Sequence, residues 1–321
     1  MYDGMYLITG GAGFIGANVA ETLCRSGERV RIFDNFSTGS PDNLAAIRDR
    51  VEIVEGDLRD YAAVRRAMQD VEYVSHQAAL RSVERSVDDP LSSDEVNVHG
   101  TLHVLMAARD AKTVKRIAYA SSSSVYGANE ALPKSEELTP MPVSPYAVSK
   151  LAAEYYCRVF TTLYGVETVS LRYFNVFGPK QSPLSRYAAV VPLFMRAALN
   201  REPLEVHGDG EQSRDFTYID NVVQANLLAL RTPGVAGEVF NVACGERHSL
   251  LEIAALIESF VGRRLERRHV GLRRGDVRHT LASIDKARQL LRYAPAVGFE
   301  DGLRKTFDAL RASLGSEGGR R

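Results

Sequence analysis

A short apolar run ending at Thr9 leads directly into Gly10, Gly13 and Gly16, spaced three apart, and then into a helical pattern over residues 14–25. Few local sequences restrict a fold so strongly. When a strand turns at once into a helix, the first glycine permits the tight turn. The second leaves room for backbone to approach a pyrophosphate, and the third lets helix pack closely on strand. Unpaired N–H groups at the helix N-terminus then face the anion. A second strand over residues 29–33 ends at Asp34, roughly 20 residues past the glycines, where a carboxylate can accept from adenosine ribose hydroxyls. The same charge would repel a 2′-phosphate. Glycines alone mark only turns, but strand, glycines, helix, strand and acid in this order predict a site for NAD rather than NADP.

The rhythm continues along the chain. Strand-like runs at residues 51–54, 73–75, 116–120 and 168–171 alternate with helical stretches, notably 97–109 and 146–164. This predicts an α/β fold, a Rossmann-like doubly wound parallel sheet with ligands along the carboxyl ends of its strands. Beyond Arg172, prolines at 179, 183, 192 and 203 loosen the pattern, and strand and helix return at 216–230 and 239–242. A chain of 321 residues exceeds the usual single core. The expected division is an NAD-binding domain over residues 1–172, rejoined by 215–245, and a smaller interleaved C-terminal substrate lobe within 173–321.

Lysine plus arginine and aspartate plus glutamate number 40 each, so no global field draws the chain to nucleic acid or a membrane. The local cluster Arg263, Arg264, Arg267, Arg268, Arg273 and Arg274 reads as a solvated face. Three scattered cysteines (Cys24, Cys157 and Cys244) lack metal spacing and suit a reducing cytoplasm. There is no signal-peptide pattern and no apolar run near the roughly 18 residues of a membrane span. His99 and His103 are four apart on a helix with no third ligand evident, so no metal is expected.

Tyr146 and Lys150 are also four apart, which on a helix aims both the same way. Tyrosine, with a pKa near 10, is a poor base at neutral pH. A neighbouring ammonium and a positive nicotinamide would both favour phenolate. On an isolated surface helix the pair would mean nothing. After a dinucleotide fold, with a serine cluster at the end of a preceding strand, it predicts a proton-transfer site.

In this order the motifs resemble the extended short-chain dehydrogenase/reductase family and, within it, the UDP-sugar 4-epimerases. The shared stretches are residues 9–16, His76-Gln77-Ala78-Ala79, residues 121–127, Tyr146 to Lys150, residues 172–179, residues 208–216 and Arg274-Gly275-Asp276. The resemblance implies Tyr146 as base, Lys150 as its electrostatic partner and ribose ligand, and Ser122 as the hydroxyl that relays or orients the proton. It implies bound NAD contacted by Gly10, Gly13, Phe14, Ile15, Gly16, Asp34, Asn35, Asp57, Leu58, Ala78, Ala79 and Asn97, together with Tyr146 and Lys150. It further implies a UDP-sugar held by Ser123, Ser124, Asn175, Arg186, Val190, Arg214, Arg274, Asp276 and Thr280. A homodimer is implied as well, formed by pairing helices that carry Leu102, Leu105, Met106, Tyr155 and Val159.

The implied reaction oxidises C4, lets the keto sugar present its other face, and returns the same hydride. Related dehydratases and decarboxylases carry an acid close to the catalytic hydroxyl. Here Ser122-Ser123-Ser124-Val125-Tyr126-Gly127 contains none, which favours reversible oxidation over elimination. The alternatives are another NAD-dependent nucleotide-sugar dehydratase or oxidoreductase and, from a different class, a non-catalytic NAD-responsive binding protein. Clues to the sugar diverge. Thr280 stands where some relatives have a large tyrosine near C2, leaving room for an N-acetyl group. Arg186, with Ser123 and Ser124, either meets a C6 carboxylate or serves a phosphate or solvent. Glucose, glucuronate and N-acetylglucosamine all stay open.

Overall fold

Residues 4–183, 189–271 and 277–318 are described by the computed structural model. Strand β1 (Met5–Thr9) is buried along its whole length and lies between β2 (Arg29–Asp34) and β4 (Val71–His76). With β3 (Val51–Glu55), β5 (Arg116–Ser122), β6 (Thr168–Tyr173) and β7 (Val239–Val242) they form a seven-stranded sheet in the order β7-β6-β5-β4-β1-β2-β3, every neighbour parallel. Both faces are covered, which is why these strands read as continuous apolar runs.

Alternate residues feed two cores. Tyr6, Ile8, Ile32, Ala118 and Leu171 point to one, where helices α1 (Phe14–Arg25) and α5 (Ile219–Arg231) pack. Met5, Leu7, Phe33, Ile117 and Tyr119 point to the other, beneath α2 (Gly100–Ala111) and α3 (Pro145–Tyr164). The expected doubly wound fold is therefore present. Its strand order reverses between β1 and β4, opening a crevice at their carboxyl ends.

Local chemistry sets the helix that carries Tyr146. The Ser144 hydroxyl caps α3 through the Ala147 amide at 3.2 Å, Pro145 occupies its first turn, and Gly165 ends it in a left-handed conformation. The stretch expected as one helix over 97–109 instead begins with a π-type turn, Glu95–His99, before α2. A side chain at Gly100 would meet Leu58 Cβ at 2.8 Å, so this close approach needs glycine. His103, four beyond His99, bonds its ring to the Leu58 carbonyl at 2.7 Å.

After β6 come α4 (Val190–Asn200), α6 (Leu250–Val261) and α7 (Phe299–Gly318), with short strand pairs among them. Asp215 is fully buried and accepts the amides of Cys244, Gly245 and Ala282 at 3.0–3.2 Å, joining three chain segments. Among the described residues, no helix is long and apolar enough to cross a membrane. Of the apolar side chains expected on an exposed helix face, Leu105 belongs to the core, and Leu102 and Met106 are half-buried. Tyr155 and Val159 are exposed and are continued along α3 by Leu163 and Tyr164.

Candidate active site

The turn after β1 forms one wall of a groove. Gly10 has φ +66°, and a Cβ there would stand 2.7 Å from the Ala78 backbone; at Gly16 it would stand 2.3 Å from the Gly10 carbonyl oxygen. Gly13 differs. A Cβ there meets only the Gly10 oxygen, at 3.1 Å, so its open side faces the groove, and no side chain caps the α1 N-terminus that begins with it. A cradle of bare N–H groups that a side chain would fill suits a dinucleotide pyrophosphate. Phe14, Ile15, Gly16, Ala78 and Ala79 line the same groove.

At its far end lie Asp34, Asn35, Asp57 and Leu58. The Asp34 carboxylate accepts the Ala12 and Phe36 amides at 2.9 and 2.8 Å, which fixes it in place and uses about half of its roughly four acceptor sites. Asn35 donates to Asp57 at 2.8 Å, and Arg59 donates to both Asp57 oxygens at 2.9 and 2.8 Å. Arg59 holds the Asp57 carboxyl well below the usual range. Asn97 is fully buried. Its amide bonds the Leu80 backbone and Ser149 at 2.8–3.1 Å, so it braces the loop after β4 and does not itself line the groove.

A second groove shares Phe14, Ile15 and Arg81 with the first. Ser122, at the end of β5, and Tyr146, at the start of α3, both face it. Lys150 lies behind them, 3% exposed, its ammonium donating to the Ala120 carbonyl at 2.8 Å. Burial pushes the Lys150 ammonium down to about 8. Burial also raises the Tyr146 phenol, against a lowering by the Ser122 hydroxyl and by the charge of Arg81. Desolvation outweighs the neighbouring donors in the free protein, and the cation acting directly on the phenol is Arg81.

Ser123, Ser124, Gln181 and Thr280 also line this second groove. The Ser124 and Thr280 hydroxyls and the Gln181 carbonyl oxygen are buried without a partner among the described residues. Buried polar atoms in that state are ready to meet a polar ligand. A third groove, floored by Phe177, Phe194 and Phe216 with Val190 beside them, joins the second at Asn175 and Arg214. Asn175 holds a positive φ of 31°, and its amide donates to the Asp215 carbonyl at 2.9 Å. Arg186, Arg274 and Asp276 lie outside the described residues.

Several side chains in these walls carry no sequence signal as site residues. Arg59 and Arg81 each follow a motif residue by two positions, Asp57 and Ala79, and proximity is their only clue. Arg196 and Gln212 line the apolar-floored groove, each with a buried polar atom lacking a partner among the described residues.

A glycine-cradled groove meeting a Ser–Tyr–Lys cluster at the switch point of a doubly wound sheet defines an NAD-dependent enzyme of the extended short-chain dehydrogenase/reductase type. The chain belongs to the NAD dependent epimerase/dehydratase family, which it matches over residues 6–243. It is 36% identical to the UDP-glucose 4-epimerase of Mycolicibacterium smegmatis, over 95% of this chain and 98% of that one. Its fold overlays the UDP-N-acetylglucosamine 4-epimerase of Methanobrevibacter ruminantium, solved with UDP-N-acetylmuramic acid, with TM-score 0.93, 36% identity and 98% and 100% coverage of the two chains. It also overlays the UDP-glucuronic acid 4-epimerase of Bacillus cereus, solved with UDP-glucuronic acid and NAD, with TM-score 0.89, 32% identity and coverage of 96% and 99%. The cofactor is NAD.

Proposed function

We propose that the chain epimerises a UDP-hexose at C4. The observation that carries this reading is that Ser122 and Tyr146 line a groove continuous with the glycine cradle, with partnerless buried polar atoms beside them. Bound NAD supplies reversible hydride exchange with one sugar carbon, so the cycle has no net redox change. In this proposal Tyr146 takes the C4 hydroxyl proton, Ser122 orients it, and Lys150 supplies charge from behind.

Gly10, Gly13, Phe14, Ile15, Gly16, Ala78 and Ala79 contact the cofactor's central part in the same reading. Asp34, Asn35, Asp57 and Leu58 serve its adenosine end, and Asn97 supports the loop between. Arg214 and Asn175, at the junction of grooves, suit the substrate diphosphate, and Arg274 is assigned to it as well. Val190 and the phenylalanine floor suit a uracil, with Asp276 at its ribose. Ser123, Ser124, Thr280 and Arg186 are left for the hexose. A keto sugar that rotates between its two faces requires contacts looser than those to the nucleotide. We assign residues 1–172 and 215–245 to the cofactor and the remainder of 173–321 to the substrate.

The test is to incubate the protein separately with UDP-glucose, UDP-glucuronate and UDP-N-acetylglucosamine and read the products by proton NMR. Appearance of a galacto epimer without NADH accumulation supports the reading and names the sugar. One observation favours a second reading: Glu84 lines the sugar groove and is the carboxylate there among the described residues. Loss of water from the sugar would transfer the assignment to a dehydratase. Binding without turnover would leave an NAD-responsive binding protein.

A further inference from the structure

Glu154 and Arg172 are paired in the core behind the site. Arg172 Nε and Nη2 donate to the two carboxylate oxygens at 2.9 and 2.8 Å, and the side chains are only 5% and 4% exposed for Arg172 and Glu154. Removing two charges from water costs about as much as their attraction returns, and an apolar pair of similar volume often serves stability as well. The pair therefore calls for a cause other than stability.

Its surroundings supply one. Glu154 lies one turn after Lys150 on α3, and the Ser121 hydroxyl, next to Ser122 on β5, donates to the same carboxylate. Arg172 is on β6 and stacks 4.8 Å over the Tyr126 ring, whose hydroxyl donates to Asn241 of β7 at 2.7 Å. One carboxylate thus ties α3 and β5, which carry the proton-transfer residues, to the neighbouring strand β6.

Lys150 is faced by Tyr146, Glu154 and Cys157 of its own helix, by Tyr119 of β5 and by His76 of β4. Burial keeps the Cys157 thiol and the Tyr119 phenol protonated, and burial together with the Lys150 charge pushes the His76 imidazole down to about 3, so it is neutral. Among the described groups facing Lys150, Glu154 is the carboxylate, held by Arg172 and Ser121. Resting on the epimerase reading, we propose that Glu154, anchored by Arg172 and Ser121, is a positioning residue that holds the Lys150 ammonium charged and its helix in register with Ser122. Burial already brings Lys150 close to working pH, and Cys157 and Glu154 of its own helix oppose that fall.

Glu154→Gln keeps the shape and removes the charge. The Lys150 Nζ titration is followed by NMR of 15N-lysine-labelled protein, with the signal assigned through Lys150→Arg. It should fall by about one pH unit or more, the effect of losing an opposite charge nearby. The alkaline limb of kcat/KM should fall with it while KM for the UDP-sugar stays near the parent value, and Glu154→Asp should return both toward the parent. If the Gln variant does not fold, Glu154→Leu with Arg172→Met refills the space without charge and should shift Lys150 in the same direction. An unchanged Lys150 titration in a folded variant lacking the carboxylate overturns the proposal. Because that titration needs no turnover, it tests the role of Glu154 even if the parent epimerises no sugar, an outcome that would sink the epimerase reading alone.

Discussion

The Lys150 ammonium lies 6.0 Å from the centre of the Tyr146 ring and spends its hydrogen bond on the Ala120 carbonyl. The two side chains share a helix face, as their four-residue spacing requires, yet the ammonium's hydrogen bond goes to the backbone and not to the phenol. Burial therefore keeps Tyr146 protonated in the free protein, with Ser122 and Arg81 opposing it. A positive charge brought beside it by a bound nicotinamide would favour the phenolate.

Tyr146→Phe removes the proton acceptor and little else, since the backbone amide of residue 146 keeps its 3.0 Å bond to the Ser86 hydroxyl. Turnover should fall at least about 100-fold, the scale of general-base catalysis, with fold and NAD binding retained. Steady-state kinetics beside calorimetric NAD titration would check this. Near-normal turnover would mean that the proton leaves by another route.

Lys150 also has a cost in stability. Burial lowers its pKa in the folded protein to about 8, from 10.5 in a free chain. Below pH 8 both states hold the proton and the folded state bears the cost of a buried charge. Between about 8 and 10.5 the unfolded chain binds more protons, so stability from this group rises with pH. Lys150→Met should therefore raise Tm at pH 7 while suppressing turnover, and the gain should shrink toward pH 10. A lower Tm at pH 7 would show that the bond to Ala120 outweighs desolvation.

Gly13 and Gly16 look alike in sequence and should fail differently. At Gly16 a methyl group would press on the Gly10 carbonyl at 2.3 Å, which only backbone movement relieves, so Gly16→Ala should lower Tm. At Gly13 the backbone is extended with φ −76° and the added atom faces the groove, so Gly13→Val should leave Tm closer to the parent and abolish NAD binding. Differential scanning calorimetry and NAD titration on both variants separate the cases. Equal NAD affinity in Gly13→Val would remove this turn from the cofactor site.

Asp34 should make the protein prefer NAD to NADP, and Asp34→Asn should narrow that preference by at least about tenfold, roughly 1.4 kcal/mol. Asparagine is the better choice than alanine, because the Ala12 and Phe36 amides bond different Asp34 oxygens; asparagine keeps an acceptor for one of them, while alanine leaves both unmet at about 1–3 kcal/mol each. Binding isotherms for both nucleotides decide it. A parent that binds NADP more tightly would contradict the assignment.

The fold is legible in the sequence because parallel strands buried on both faces, such as Tyr6-Leu7-Ile8, announce themselves as apolar runs, and because the turn at Gly10 admits few alternatives. Sequence also brings Asp34, Ser122 and Tyr146 forward, since each sits at a strand end or helix start that the pattern fixes. It cannot reveal the partners of Glu154. Ser121 and Arg172 lie 33 and 18 residues away and meet it only when β5, β6 and α3 come together. Nor does a motif show how Asn97 is held: its buried amide bonds the Leu80 backbone and Ser149 and braces the loop after β4. Helical spacing alone places Leu105 on a surface, because it does not distinguish the face toward the sheet from the face toward a partner.

That last distinction decides the expected dimer. Tyr155, Val159, Leu163 and Tyr164 expose 56%, 41%, 72% and 50% of their surface along α3, and Leu91 exposes 76% on the short helix that packs against it. An apolar stripe of this length on a helix whose other face is already buried has the character of a contact surface. We propose that two copies pair through it. Leu163→Glu combined with Tyr155→Glu would put four carboxylates into such a contact while leaving the monomer core untouched. Light scattering at micromolar concentration should then report a dimer for the parent and a monomer for the variant, with NAD binding retained in both. A monomeric parent would reject the pairing, and a dimeric variant would move the interface to another face.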